Sequence, residues 1–191
     1  MISGRSSAIR QAQEWISRRP VYLDTETTGL DQDSEIVEIS IIDDDGKKLL
    51  DTLIKPKGRI PLEAFRLHGI SDDMVAEAPG WKDIWSQVLN CTTDRTIGIY
   101  NADFDLRMMQ QSLAKNFMPW QKPPGSIFVC IMKLYAQYFG EWDRRRGAYR
   151  NQSLENAAWQ CRIDLQNKHR AYDDSLLARA VLHYIAVQPL K

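Results

Sequence analysis

Asp24 and Glu26 stand at i and i+2 in the string VYLDTETTGL. If that string is a strand, alternate side chains share a face, and both carboxylates point the same way. Val21, Tyr22 and Leu23 before them are apolar, and no basic residue follows until Lys47. Two like charges at the end of a buried strand repel each other and lose hydration. A divalent cation relieves the conflict, because hard cations take carboxylate oxygens. Two solvent-facing strand acids without a partner fit the same spacing. A third acid, Asp105, follows Asn101-Ala102-Asp103-Phe104 at a strand end and helix start, where open α/β sheets carry functional groups. Asp103 competes with it, and either acid would also favour the helix dipole. His169 precedes Asp173 and Asp174. A five-residue step turns a helix by about 500°, so His169 and Asp174 do not share a helical face. They meet only if His169 lies in a loop and Asp174 in the first turns of the helix after it. A histidine so placed could act as a general base; a plain loop histidine beside two helix-start acids is the alternative.

The elements that must position these residues are legible in outline. Residues 7–19 read as an amphipathic helix with Ala8, Ala12, Trp15 and Ile16 on one face, ended by Pro20. Residues 21–25 and 35–42 read as strands, and KKLLDTLIKP returns as a third after the turn Asp43-Asp44-Asp45-Gly46. Short helices are expected at 61–66, closed by His68-Gly69, and after the cap residue Ser71. Helical spacing covers 81–89 and 103–117, and 96–100 is a strand. A short strand at 127–129 leads into a helix to Phe139. GEWDRRRGAYRNQ, residues 140–152, reads as a polar, arginine-rich loop. Helices from Ser153 and over 171–187 complete the chain. Trp15, Trp81, Trp85 and Trp159 fall at core spacing, Trp120 and Trp142 stay open, and His183 reads as a plain helix residue. This order of strands and helices predicts an α/β fold with helices on both faces of one sheet.

Composition narrows the function classes. The chain has 191 residues with 25 basic and 25 acidic side chains, a formal net charge of zero. That suits one domain that folds without disulfides. Zero net charge argues against coating nucleic acid by bulk electrostatics, not against holding a few nucleotides locally. Cys91, Cys130 and Cys161 form no zinc pattern and are expected to be reduced. There is no G-x-S-x-G, Walker A or G-x-G-x-x-G string. No apolar run is long enough to span a membrane, and the N-terminus lacks a signal-peptide core, so a cytoplasmic protein without a membrane partner is expected.

Taken together, DTETTGL (24–30), NADFD (101–105) and HRAYDD (169–174) resemble the motifs of the DEDDh branch of the DnaQ-like 3′–5′ exonucleases. HGISDDM (68–74) and the strings at 130–139 and 153–163 add to the likeness. The resemblance implies a ribonuclease H-like mixed five-stranded sheet, with a helical extension at 1–20 ahead of an exonuclease domain at 21–191. It makes Asp24, Glu26, Asp105 and Asp174 the metal-binding acids and His169 the general base. It favours Asp105 over Asp103 and Asp174 over Asp173. It implies Thr25, Thr27, Leu30, His68 and Asn101 as substrate contacts, with Leu30 a wedge between the last two bases. Tyr100, Cys130 and Ser175 depart from the usual pattern and bear on substrate preference.

The implied chemistry is hydrolysis of a phosphodiester with two divalent cations, Mg²⁺ or Mn²⁺. The products expected are nucleoside 5′-monophosphates from the 3′ end of a single strand, DNA favoured over RNA. An exoribonuclease, or a non-catalytic 3′-end-binding or polymerase-associated subunit, are the alternatives. The 7–19 helix could dock a polymerase or a second copy, with packing on its own domain preferred. Arg144, Arg145, Arg146 and Arg150 are a candidate phosphate-tracking loop, against a solvated charged one.

Overall fold

In the computed structural model, residues 4–165 and 169–190 are described. The elements are α1 (Gly4–Ser17), β1 (Val21–Thr27), β2 (Ile36–Ile42), β3 (Lys48–Leu53), α2 (Leu62–His68), α3 (Asp72–Val75), α4 (Trp81–Thr92) and β4 (Thr96–Ile99). They continue as α5 (Ala102–Lys115), β5 (Ile127–Cys130), α6 (Ile131–Phe139), β6 (Trp142–Asp143), β7 (Ala148–Tyr149), α7 (Leu154–Gln160) and α8 (Ala171–Ala186). Five strands form one mixed sheet in the order β3-β2-β1-β4-β5, with β1 central. The β1–β2 and β2–β3 pairs are antiparallel, and the β1–β4 and β4–β5 pairs are parallel. This is the expected ribonuclease H-like α/β architecture.

The alternation of β1 sorts the molecule into two layers. Val21 and Leu23 face a core with Trp81, Ile84 and Trp85 of α4 and Met108 and Met109 of α5. Tyr22 faces the opposite core, built from α1, α6, α7 and α8. Period-two geometry therefore sends Asp24 and Glu26 to the α8 side and Thr25 to the α5 side. β2 is buried along its whole length, as its β-branched run requires of a strand covered on both faces. One extra residue on β2 shifts the register between Glu26↔Glu38 and Thr27↔Ile36. That bulge ends regular pairing at the acids, a place where bulges re-aim side chains.

Caps and turns fix where the elements stop. Ser71 and Ser153 each accept a backbone N–H through the side-chain hydroxyl, from Met74 and Asn156. Gly69 closes α2 in the left-handed conformation, at φ 73°. At the β2–β3 turn, Asp43 Oδ1 accepts the N–H groups of Asp45 and Lys47, and Gly46 takes φ 84°. Helix α1 covers 4–17 rather than 7–19, and it buries Ala8, Ile9 and Ala12 against the rest of the chain. Of the N-terminal extension, residues 1–3 lie outside the described residues. Among the described residues no helix is long and apolar enough to cross a membrane.

Three expectations need correction. Residues 140–152 are not simply a loop: Trp142↔Tyr149 and Asp143↔Ala148 pair as a two-stranded hairpin. A two-residue strand carries too little periodicity to be read from sequence. Trp159 is not core; it is 79% exposed, because α7 spans only two turns and buries Ala157 and Ala158 instead. His183 is not a plain helix residue, since its Nε2 lies 2.9 Å from Asp44 Oδ1. Trp120 packs on Trp85, with ring centroids 5.9 Å apart.

Candidate active site

The acids converge at the carboxyl end of β1. Oxygens of Asp24, Glu26 and Asp174 lie within 4.8 Å of one another. Asp24 and Glu26 share the α8 face of β1, and Asp174 lies in the first turn of α8, its N–H bonded to the Arg170 carbonyl at 3.0 Å. Asp105 arrives from the other side. It sits in the first turn of α5, buried, and accepts the Thr25 hydroxyl at 2.7 Å. Alternation along β1 thus explains the division: Asp24 and Glu26 line one side of the strand end, and Thr25 holds Asp105 at the other. Asp103, by contrast, is exposed and paired with Lys133 at 2.6 Å. Asp173 lies beside Asp174 in the same helical turn but is not part of the cluster.

Burial, ahead of any neighbouring charge, raises all four carboxyls above their ordinary values. Burial, then the charges of Asp105, Asp174, Glu26 and Glu38, raise the Asp24 carboxyl well above the ordinary value. Glu26 is pushed up to about 8 by burial and by Asp174, Glu38 and Asp105, with Arg170 opposing. Asp174 rises to about 7 through burial and the charge of Asp173. Asp105 also rises to about 7 through burial, although its hydrogen bond from Thr25 pulls the other way. Asp174 Oδ1 is buried with no hydrogen-bond partner among the described residues. An unpaired buried carboxylate oxygen beside two more acids is a donor set made for a hard divalent cation, and such a cation removes the repulsion. Asp24, Glu26 and Asp174 would hold it, with Asp105 adding charge from the α5 side.

His169 lies in the segment before α8, as the spacing required, and takes φ 50°. A left-handed histidine is uncommon, and such conformations persist only where the surroundings impose them. The next residue is held firmly. Arg170 Nε lies 3.1 and 3.0 Å from the two carboxylate oxygens of Glu38, and its Nη2 also donates to Oε1. The Ala171 N–H donates to Glu38 Oε2 at 2.9 Å. Glu38 therefore clamps the start of α8 to β2, and through it both His169 and Asp174. Neither clamp residue was singled out in the sequence. An acid inside the otherwise apolar EIVEISII, and an arginine beside a candidate base, were the available signals.

The expected substrate contacts lie around this cluster with different availability. Leu30 is 75% exposed, and Arg107 Nη1 donates to its carbonyl at 3.2 Å. Asn101 is exposed at the start of α5, and its side chain makes no capping bond. The Thr27 hydroxyl donates to the Gly29 carbonyl at 2.7 Å. His68 is buried; its Nδ1 accepts the Ile70 N–H at 3.0 Å, so its Nε2 donates to the Thr27 carbonyl at 3.2 Å. His68 thus props the end of β1 from beneath. Tyr100, one of the departures from the usual pattern, is buried with its hydroxyl 3.1 Å from the carbonyls of both Gln152 and Ser153.

A ribonuclease H-like sheet with a carboxylate cluster at the end of its central strand defines a class of nucleic-acid-processing domains. The chain belongs to the Exonuclease family (RNase_T), whose pattern it matches over residues 21–182, within the DnaQ-like group. It is 39% identical over 184 residues to the uncharacterized exonuclease CP81 of Escherichia phage 186, with 93% of each chain covered. It is 38% identical over 104 residues to the DNA polymerase III epsilon subunit of Rickettsia prowazekii, covering 51% of this chain and 45% of that one. Among solved structures it resembles exonuclease X in complex with 5′ overhanging duplex DNA, with a TM-score of 0.63 and 25% identity. That match covers 86% of this chain and 89% of the other. The family is dependent on divalent metal ions.

Proposed function

We propose that this chain is a DEDDh 3′–5′ exonuclease that removes nucleoside 5′-monophosphates from the 3′ end of single-stranded DNA. The observation that carries the reading is the convergence of Asp24, Glu26 and Asp174 within 4.8 Å, with Asp105 beside them. Two divalent cations, Mg²⁺ or Mn²⁺, would stabilise charge on the attacking and leaving oxygens of the phosphodiester and ease deprotonation of water. The chain's own residues do the rest. Asp24, Glu26, Asp105 and Asp174 supply the negative charge that such ions require. His169 accepts the proton of the attacking water, and its neighbour Arg170, fixed on Glu38, ties the start of α8 to β2. Leu30, exposed at the rim, offers an apolar edge against the terminal bases, which suits sequence-tolerant binding. Asn101, Thr25 and Thr27 would contact the terminal nucleotide, with His68 bonded to the Thr27 carbonyl behind them.

The relatives support a nucleic-acid substrate: one is a DNA polymerase subunit and one is bound to duplex DNA. The reading is tested by offering single-stranded DNA, duplex DNA and RNA of one sequence and identifying the released nucleotides. Single-stranded DNA should be degraded fastest, and the products should be nucleoside 5′-monophosphates. Release of 3′-monophosphates, or internal cutting, would contradict it.

A further inference from the structure

Four arginines and two acids lie between Glu141 and Arg150, a local excess of positive charge in a chain of zero net charge. This segment is a built hairpin. Asp143 Oδ1 accepts the N–H groups of Arg145 and Arg146, at 2.9 and 3.2 Å. The Gly147 N–H returns to the Asp143 carbonyl at 2.9 Å, with Gly147 at φ 62°, where a side chain would be strained. Arg144, Arg145 and Arg146 are thereby held side by side at the tip. Arg150 is taken by Glu141 at 2.9 Å, and Arg146 lies 3.9 Å from Asp143. Arg144 and Arg145 have no carboxylate partner among the described residues. Below the tip, Trp142 is 54% exposed and stands edge-on to Tyr149, with ring centroids 5.1 Å apart. The hairpin is also anchored toward the acids. Gln152 donates to Glu141 at 3.3 Å, and the Tyr100 hydroxyl reaches the carbonyls of Gln152 and Ser153 at the carboxyl end of β4, one residue before Asn101.

Guanidinium groups without a carboxylate partner beside a half-exposed indole match the two repeating features of a single strand, its phosphates and its bases. We propose that the Glu141–Arg150 hairpin is a second nucleic-acid subsite. Arg144 and Arg145 take phosphates of the strand upstream of the 3′ end, and Trp142 takes a base. The inference rests on the exonuclease reading and adds where the body of the strand runs.

The test compares the whole chain with its Arg144→Ala/Arg145→Ala and Arg144→Lys/Arg145→Lys variants, on a long single-stranded oligonucleotide and on a dinucleotide. Thermal melting of each variant checks the fold. Two phosphate contacts on a single strand carry a salt slope of about −1.4. Between about 50 and 200 mM salt, the wild-type KM for the long strand should therefore rise about sevenfold more than that of the alanine variant. The lysine variant should keep the wild-type slope, and the dinucleotide should be cleaved equally by all three. If the alanine variant keeps the wild-type KM and salt slope on the long strand, the subsite is wrong while the exonuclease reading stands. If the wild type cleaves neither substrate, the exonuclease reading fails and the subsite falls with it.

Discussion

Each acid of the site is costly to ionise in the folded chain, and that cost is what a cation would relieve. Glu26 shows the sign. Its carboxyl is raised from 4.5 to about 8, so its ionisation opposes folding. The penalty begins as pH rises through the unfolded value and is complete above about 8. The metal-free chain should therefore melt at a higher temperature near pH 5 than near pH 8, by several degrees. Added Mg²⁺ should restore much of the difference at pH 8. Glu26→Gln should raise the metal-free melting temperature at pH 8 and change it little at pH 5, as paired melting curves would record. His169→Ala should lower kcat by about 10²–10⁴-fold with a folded chain, the usual contribution of a general base. Near-full activity in that variant would remove the histidine from the mechanism. Spacing alone put Asp24 and Glu26 on one strand face but left Asp105 beside Asp103 and Asp174 beside Asp173, because neighbouring acids at a helix start look alike in a single sequence. The motif resemblance favoured Asp105 and Asp174; the fold buries Asp105 under Thr25 and leaves Asp103 with Lys133.

At the scale of elements, the site depends on the junction between β2 and α8. Glu38 is buried opposite Glu26, and Arg170 neutralises it while anchoring the segment that carries His169. Arg170→Met should destabilise the fold by about 2–3 kcal/mol, below the usual penalty for a fully buried pair because the arginine is partly exposed. Glu38→Gln/Arg170→Met together should regain much of that stability, since no buried charge is left unpaired. Activity should not return, because Arg170 no longer ties the start of α8 to β2. Chemical denaturation and turnover measured on the same three proteins separate the two effects. This junction was hidden in the sequence because Glu38 and Arg170 are 132 residues apart. Caps were more legible than partners: Ser71, Ser153 and Gly69 act locally, so their signals survive in a single sequence. The β6–β7 hairpin was missed for the opposite reason, being too short to have a period.

Across the whole molecule, α1 belongs to the same core as the sheet. Ile9 is 1% exposed among residues of α6 and α8, so Ile9→Ala should cost about 2–4 kcal/mol. The melting temperature should then fall by roughly 5–15 °C, at about 2–4 °C per kcal/mol. A partner at this helix would meet its charged outer side, since the apolar side is covered. The even balance of charge also has a consequence for turnover. If attraction is confined to cations held by the acids and to the proposed hairpin subsite, the grip covers few nucleotides and the isolated chain should release its strand often. The acid cluster at the end of β1 is proposed to trim a strand from its 3′ end. This is tested most directly by following 5′-labelled single-stranded DNA with Mg²⁺, with chelator, and with the Asp24→Asn variant. With Mg²⁺ the ladder should shorten one nucleotide at a time; with chelator there should be no shortening, and the variant's rate should fall about a thousandfold or more, a loss of about 4 kcal/mol in transition-state stabilisation. Shortening that persists in chelator, or at an undiminished rate in Asp24→Asn, would contradict the proposal.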